Sequence, residues 1–301
     1  MTRKDSAALF RAAGLGEVFT WRQALAAGFG PSDLRVKAVK QVLHGVYTTV
    51  DDPDQDMVRA QGALLRAGDG AVICGATALR LLGVGLPTGI AHDTRLDVHL
   101  PLDRPRPRAA GMRVWRGELA GQAVEHQGLP LAHPGDCWAQ LAPHLSVDDL
   151  VIIADGLTRR RNPITRLKTL GSMLRDSTPG VVRARQALEL ARECTDSPPE
   201  TVMRLMLVHA GLPCPEVNYK VTLSDGTFHL LDTAYTESKV APEYNGAVHV
   251  NNHDKMQADE LRRRVLEDMG WRLITLTWDD LTTRPASAVR SVRDALRKAR
   301  R

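Results

Sequence analysis

Three acidic residues, Glu200, Asp232 and Glu243, fall within one small α/β unit, and carboxylates confined to its inner strands are what a divalent cation needs. Asp232 lies among Leu230, Leu231 and Ala234, and Glu243 follows Val240-Ala241-Pro242, so both carboxylates fall on apolar, strand-prone segments. An unpaired carboxylate is costly to bury, and like charges on adjoining strands destabilise a sheet. A divalent cation bound by oxygen ligands relieves both penalties. The bland alternative is a hydrogen-bonded structural pair.

The elements that must position these acids are legible around them. Ser197-Pro198-Pro199-Glu200 opens a helix with Ser as N-cap and Pro in the first turn; Val202, Leu205, Met206 and Ala210 form its apolar stripe, and Gly211 ends it. Glu200 reads equally well as the acidic half of a capping box. Strands follow at 218–223, 227–235 and 239–244 as an antiparallel meander. A two-residue turn over Glu237-Ser238 sets Asp232 opposite Glu243, whereas a three-residue loop offsets them. A helix over 254–269, closed by Gly270, a strand over 271–276 and a basic amphipathic helix over 286–299 complete the region.

The first fifty residues carry a second pattern. Thr20 caps a helix that Gly28 closes, Gly28-Phe29-Gly30-Pro31 makes a short turn, and Ser32 caps a second helix over 33–43. The β-prone 45–50 then supplies a small hairpin, giving a winged helix-turn-helix. On the second helix Leu34, Ala38 and Val42 share one face, leaving Arg35, Lys37, Lys40 and Gln41 free. With Ser32 at the helix start, these side chains are expected to hold phosphates and read base edges of double-stranded DNA. Solubilising side chains on an ordinary helix are the alternative. Residues 1–50 hold 7 Lys+Arg against 3 Asp+Glu, which suits a polyanionic partner.

Composition limits the rest. A chain of 301 residues exceeds a usual single domain, so two domains are expected. There is no run of about 18 apolar residues and no apolar signal core after Met1, so a soluble, cytoplasmic protein without a membrane span is expected. Cys74, Cys137, Cys194 and Cys214 lack the CxxC spacing of zinc sites and read as core thiols. His92, His99, His126, His133 and His144 show no metal-ligand spacing and read as packing or surface residues. Helices are expected at 57–67 and 71–82, and the middle of the chain offers strands at 96–100 and 112–115 and helices at 134–141, 147–158 and 181–194.

Residues 17–50, "FTWRQALAAGF" leading to "LHGVYTT", together with "GATALRLLG", resemble the N-terminal winged-helix domain of AbiEi-type antitoxins. Residues 197–297, with "SPPETVMRLMLVHAGLP", "LLDTAY", "VAPEYNGAVH", "QADELRRRVLEDMGWRLITLT" and "DDL" in order, resemble the very-short-patch repair endonuclease branch of the PD-(D/E)XK superfamily. The fold expected is α+β and α/β: a winged helix-turn-helix region at 1–85, a middle α/β region and linker at 86–195, and a restriction-endonuclease-like mixed sheet flanked by helices at 196–301.

The second resemblance implies Asp232 and Glu243 as ligands of Mg²⁺ (or Mn²⁺), Glu200 as an auxiliary acid, His249 beside the scissile phosphate and Gln257 orienting that shell. Phosphodiester hydrolysis would then use a cation-activated water with His249 handling a proton. Two positions depart from the superfamily pattern: Leu231 stands where Pro precedes the first Asp, and Asn245 where Lys follows the second acid. Asn245 can neither act as a base nor bind metal as an anion. The competing expectation is therefore a transcriptional regulator or antitoxin-like DNA-binding protein, with a protein partner such as a toxin, in which the nuclease fold has lost catalysis.

Overall fold

The structure is a computed structural model that describes residues 3–107, 110–246 and 253–299, with backbone alone at 3–6 and 253–256. It is a mixed α/β chain with several sheets, and no helix among the described residues is long and apolar enough to cross a membrane. The chain divides into two compact units, residues 1–144 with 172–181, and residues 145–171 with 182–301.

The first unit begins with α1 (Arg3–Ala12), β1 (Val18–Thr20) and α2 (Trp21–Ala26), then β2 (Lys40–Leu43) and β3 (Val46–Thr48) in a three-stranded sheet of order β1-β3-β2. Thr20 caps α2, as its sequence predicts, and Gln23 completes a capping box. The helix expected over 33–43 is not formed. A single 3₁₀ turn, Asp33–Arg35, is followed by extended Val36 (φ −70, ψ 148) and then β2. Ser32 makes no side-chain cap; instead Asp33 Oδ2 accepts the Gly30 N–H at 2.7 Å. The physical reason is the β-branched set Val36, Val39 and Val42, which loses rotamer freedom in a helix and packs well on a strand. Leu34 and Val39 bury beside Phe10, Phe19 and Ala24.

The remainder of this unit comprises α3 (Asp56–Ala67), β4 (Val72–Ile73), α4 (Gly75–Leu81), α5 (Thr88–Ala91), β5 (Leu96–Leu100), β6 (Met112–Arg116), β7 (Val124–His126), β8 (Leu129–Leu131) and α6 (Pro134–Leu141). The five strands from β4 onward form one sheet of order β6-β5-β4-β8-β7. The helix expected over 71–82 thus starts only at Gly75, because Val72 and Ile73 pair with β5 and β8.

The second unit contains α7 (Val147–Leu157), α8 (Leu167–Ser172), α9 (Val181–Leu190), α10 (Pro198–His209), β9 (Glu216–Thr222), β10 (Phe228–Ala234), β11 (Val240–Tyr244), α11 (His253–Asp268), β12 (Arg272–Leu276), α12 (Trp278–Thr282) and α13 (Pro285–Ala299). β9 and β10 pair antiparallel, and β11 and β12 pair parallel. Between them runs an interrupted seam: a bridge joins Tyr235 and Val240, and Thr233 Oγ1 donates to the Pro242 carbonyl at 2.7 Å. Pro242 has no N–H to give, so a regular ladder cannot continue here. Met203 and Leu207 of α10 pack with Tyr235, Val240, Leu276 and the apolar face of α13. On the other side of the sheet Leu266 of α11 packs with Val221, Leu231, Trp271 and Leu273.

Candidate functional site

The interruption between β10 and β11 places the acids. The Tyr235–Val240 bridge sets a register in which Asp232 lies opposite Glu243, and Asp232 Oδ2 accepts the Tyr244 N–H at 2.8 Å. Opposite Asp232 on the other side, the β9 register passes from Tyr219 to Val217, with Asn218 held at φ 44. The side chain of Asp232 thus takes the place of a backbone acceptor where the two strands part. A cleft of about 520 Å³ opens there, lined by Asp232, Glu243, Asn245, Asp259, Arg262 and Thr275 among others.

Glu200 reaches the same neighbourhood from α10. It is buried, Ser197 Oγ donates to its Oε1 at 2.7 Å, and the Asp196 N–H donates to its Oε2 at 3.1 Å. The capping-box alternative is not formed: Ser197 caps no helix N–H, and Glu200 instead accepts from the Ser197 hydroxyl and from the N–H of Asp196, one residue before the N-cap. Burial raises the Glu200 pKa against those hydrogen bonds. Burial likewise pushes Asp232 up to about 7, with the negative charges of Glu200 and then Glu243 adding to it, while the Tyr244 N–H and Arg262 pull the other way.

Glu243 has a partner that its sequence neighbourhood does not announce. Arg262 of α11 donates from Nη2 to Oε1 at 2.5 Å and from Nη1 to Oε2 at 3.1 Å, a bidentate pair, and Nη2 also donates to the Leu230 carbonyl at 2.7 Å. The side chains are 28% and 14% exposed, so the pair is largely shielded. The hydrogen bonds to Glu243 raise the Arg262 pKa, as do the charges of Asp232 and Asp259.

This donor set does not fit a preformed divalent-cation site. Both Glu243 oxygens are committed to Arg262 and both Glu200 oxygens to its own helix start. Asn245 adds no charge, and among the described residues no group of three His, Cys, Asp or Glu side chains is placed to hold a metal. His249 lies outside the described residues. Gln257 is exposed on α11 and does not line the cleft, so it does not orient the acids.

The raised Asp232 pKa has a measurable consequence. In the folded chain this carboxyl keeps its proton to about pH 7, whereas in the unfolded chain it loses it near pH 4. The folded state then binds more protons between those limits, and stability falls as pH rises through them. Asn keeps an acceptor for the Tyr244 N–H and has no proton to lose. Asp232→Asn is expected to melt close to the wild type near pH 4 and to gain an advantage of about 2 kcal/mol by pH 7, roughly half the full linkage because the cleft admits solvent. Thermal melts of both proteins across that range check it; a gap independent of pH would refute the assignment.

On the first unit, Ser32, Arg35 and Lys37 are exposed around the 3₁₀ turn, and neither Arg35 nor Lys37 has an ion-pair partner among the described residues. Lys40 and Gln41 sit on β2 rather than on a helix. Lys40 Nζ donates to the Asp51 carbonyl, and Gln41 is exposed opposite Tyr47 of β3. The five residues named for DNA contact therefore occupy one turn-and-strand segment, not the face of a recognition helix.

No family model and no solved structure matches the chain. Among curated proteins it is similar to the uncharacterised protein MT2308 of Mycobacterium tuberculosis (strain CDC 1551 / Oshkosh) and to Rv2248 of strain ATCC 25618 / H37Rv, each 28% identical over 121 residues. That match covers 40% of this chain, and the chain spans about 45% of the length of the curated relatives it matches.

Proposed function

We propose that this chain is a DNA-binding protein of the regulator or AbiEi-type antitoxin-like class, acting in the cytoplasm on double-stranded DNA, whose second unit is a restriction-endonuclease-like fold that does not cut. The observation that carries this reading is the bidentate Arg262–Glu243 pair, which commits the carboxylate that hydrolysis would need on a cation. The order α1-β1-α2-turn-β2-β3 with sheet order β1-β3-β2 supports a winged-helix docking segment, in which Arg35 and Lys37 meet phosphates. A toxin-like protein partner belongs to the same reading.

A second reading, a Mg²⁺- or Mn²⁺-dependent DNA endonuclease, is favoured by one observation: Asp232 is held at about 7 by burial and by two neighbouring carboxylates, the kind of perturbation that clusters at functional sites. One experiment separates the two. Wild type and Asp232→Ala are incubated with supercoiled plasmid and Mg²⁺ or Mn²⁺, and duplex binding is followed over a salt series. We expect no nicking by either protein, and an Arg35→Ala/Lys37→Ala double variant is expected to flatten the slope of log affinity on log salt by about two. Nicking by the wild type that Asp232→Ala abolishes would install the endonuclease reading instead.

A further inference from the structure

Two cavities flank the β2–β3 hairpin of the first unit, one of about 630 Å³ and one of about 720 Å³. Trp21, His44 and Gly45 border both, so these three residues lie where the cavities meet. The side chain is held from beneath: Trp21 is half-buried against the Phe10–Phe19–Ala24 cluster, and its backbone N–H donates to the Gly45 carbonyl at 2.9 Å. Tyr47 lines the smaller cavity and is itself stacked on Phe19, with centroids 6.4 Å apart.

Charge around this ridge is mostly of one sign. Arg35 lines the smaller cavity, which holds no carboxylate, and Arg22 and Arg66 line the larger, with Asp69 as its one carboxylate. All three arginines are exposed, and among the described residues none is in an ion pair. Gln41, opposite Tyr47 in the β2–β3 register, presents an amide at the same edge.

A half-buried, preoriented aromatic ring between two cation-lined hollows is the arrangement that stacks an unpaired base while the flanking phosphates are neutralised. A duplex cannot use it, because each base face is already covered by its neighbours in the stack. We infer that the Trp21–His44–Gly45 ridge binds single-stranded DNA, with a base stacked on Trp21 and the strand's phosphates drawn to Arg35 on one side and to Arg22 and Arg66 on the other. This rests on the DNA-binding reading and adds to it a contact that would engage a melted or distorted site.

The test is fluorescence anisotropy of the full chain with a short labelled oligodeoxythymidine and, separately, with a labelled duplex of the same length. Trp21→Ala is expected to weaken single-strand binding by about tenfold or more, Trp21→Phe to keep most of it, and duplex binding to change by less than about threefold. Should Trp21→Ala fail to fold by circular dichroism, Trp21→Leu, which fills the core contact without a π face, takes its place. Single-strand affinity equal in wild type and the ring-less variant overturns the inference, as does equal weakening on both probes. A wild type that holds the duplex but not the single strand overturns this inference alone; one that holds neither overturns the DNA-binding reading with it.

Discussion

Replacing Arg204 by methionine is expected to destabilise the second unit by about 3–5 kcal/mol, the range for stranding one member of a buried ion pair. Arg204 and Asp155 are each only 1% exposed, and Arg204 Nη2 donates to Asp155 Oδ2 at 2.7 Å. The carboxylate also accepts from Thr201 Oγ1 at 2.8 Å and from the Arg192 N–H at 2.8 Å, while Arg204 Nη1 donates to the Leu190 carbonyl at 2.7 Å. Burial raises the Asp155 pKa even against these partners, so without the guanidinium the group has little left to keep it charged. Asp155→Leu combined with Arg204→Met is expected to recover most of the loss, because an apolar pair of similar volume avoids the desolvation penalty that the single variant exposes. Urea unfolding of the two singles and the double closes the cycle. A single-variant loss below about 1 kcal/mol would mean that water reaches the site.

This network bears on the acid cleft through one helix. Thr201 and Arg204 lie three residues apart on α10 and face α7, and Glu200 precedes Thr201 on the same first turn. Fixing α10 by its interior polar face therefore fixes where Glu200 stands relative to Asp232. A helix whose apolar stripe alone held it could rotate or slide with less loss, since hydrophobic contact is non-directional.

What could be read from the sequence followed the strength of local periodicity. The strands carrying Asp232 and Glu243, the helix after Ser197 and the helix closed by Gly270 were legible because apolar runs and stop signals agreed. The segment 33–43 misled because Leu34, Ala38 and Val42 also satisfy helical spacing; β-branching at 36, 39 and 42 and pairing with β3 decided for a strand. The parallel pairing of β11 with β12 is a crossover through α11, which no local pattern states. Arg262 was the costliest omission. It sits in Arg262-Arg263-Arg264, three residues of one type, where Arg263 and Arg264 pair with Glu267 and Glu260 in ordinary i,i+4 fashion. One signal did distinguish it: Arg262 is four residues before the fully buried Leu266 and so lies on the inner face of α11.

That placement makes Arg262 the most consequential residue of the cleft. Arg262→Met is expected to lower stability by about 3 kcal/mol, the low end for breaking a shielded pair, because the arginine keeps part of its side chain in solvent. The methionine retains much of the apolar stem that packs against the strand but none of the five donors. Glu243 would then face Asp232 with no counter-charge between them, so the loss should be larger above pH 7, where Asp232 has lost its proton, than near pH 4. Glu243→Gln in the same background is expected to restore a substantial part, since it removes the charge that Arg262 had neutralised. Lysine is a poor substitute, supplying one point charge where the carboxylate is met by a planar fork and the Leu230 carbonyl takes a third bond. Denaturation of Arg262→Met, Arg262→Lys and the Arg262→Met/Glu243→Gln double variant across pH decides the matter: a loss that is independent of pH and untouched by Glu243→Gln would show that Arg262 serves packing alone.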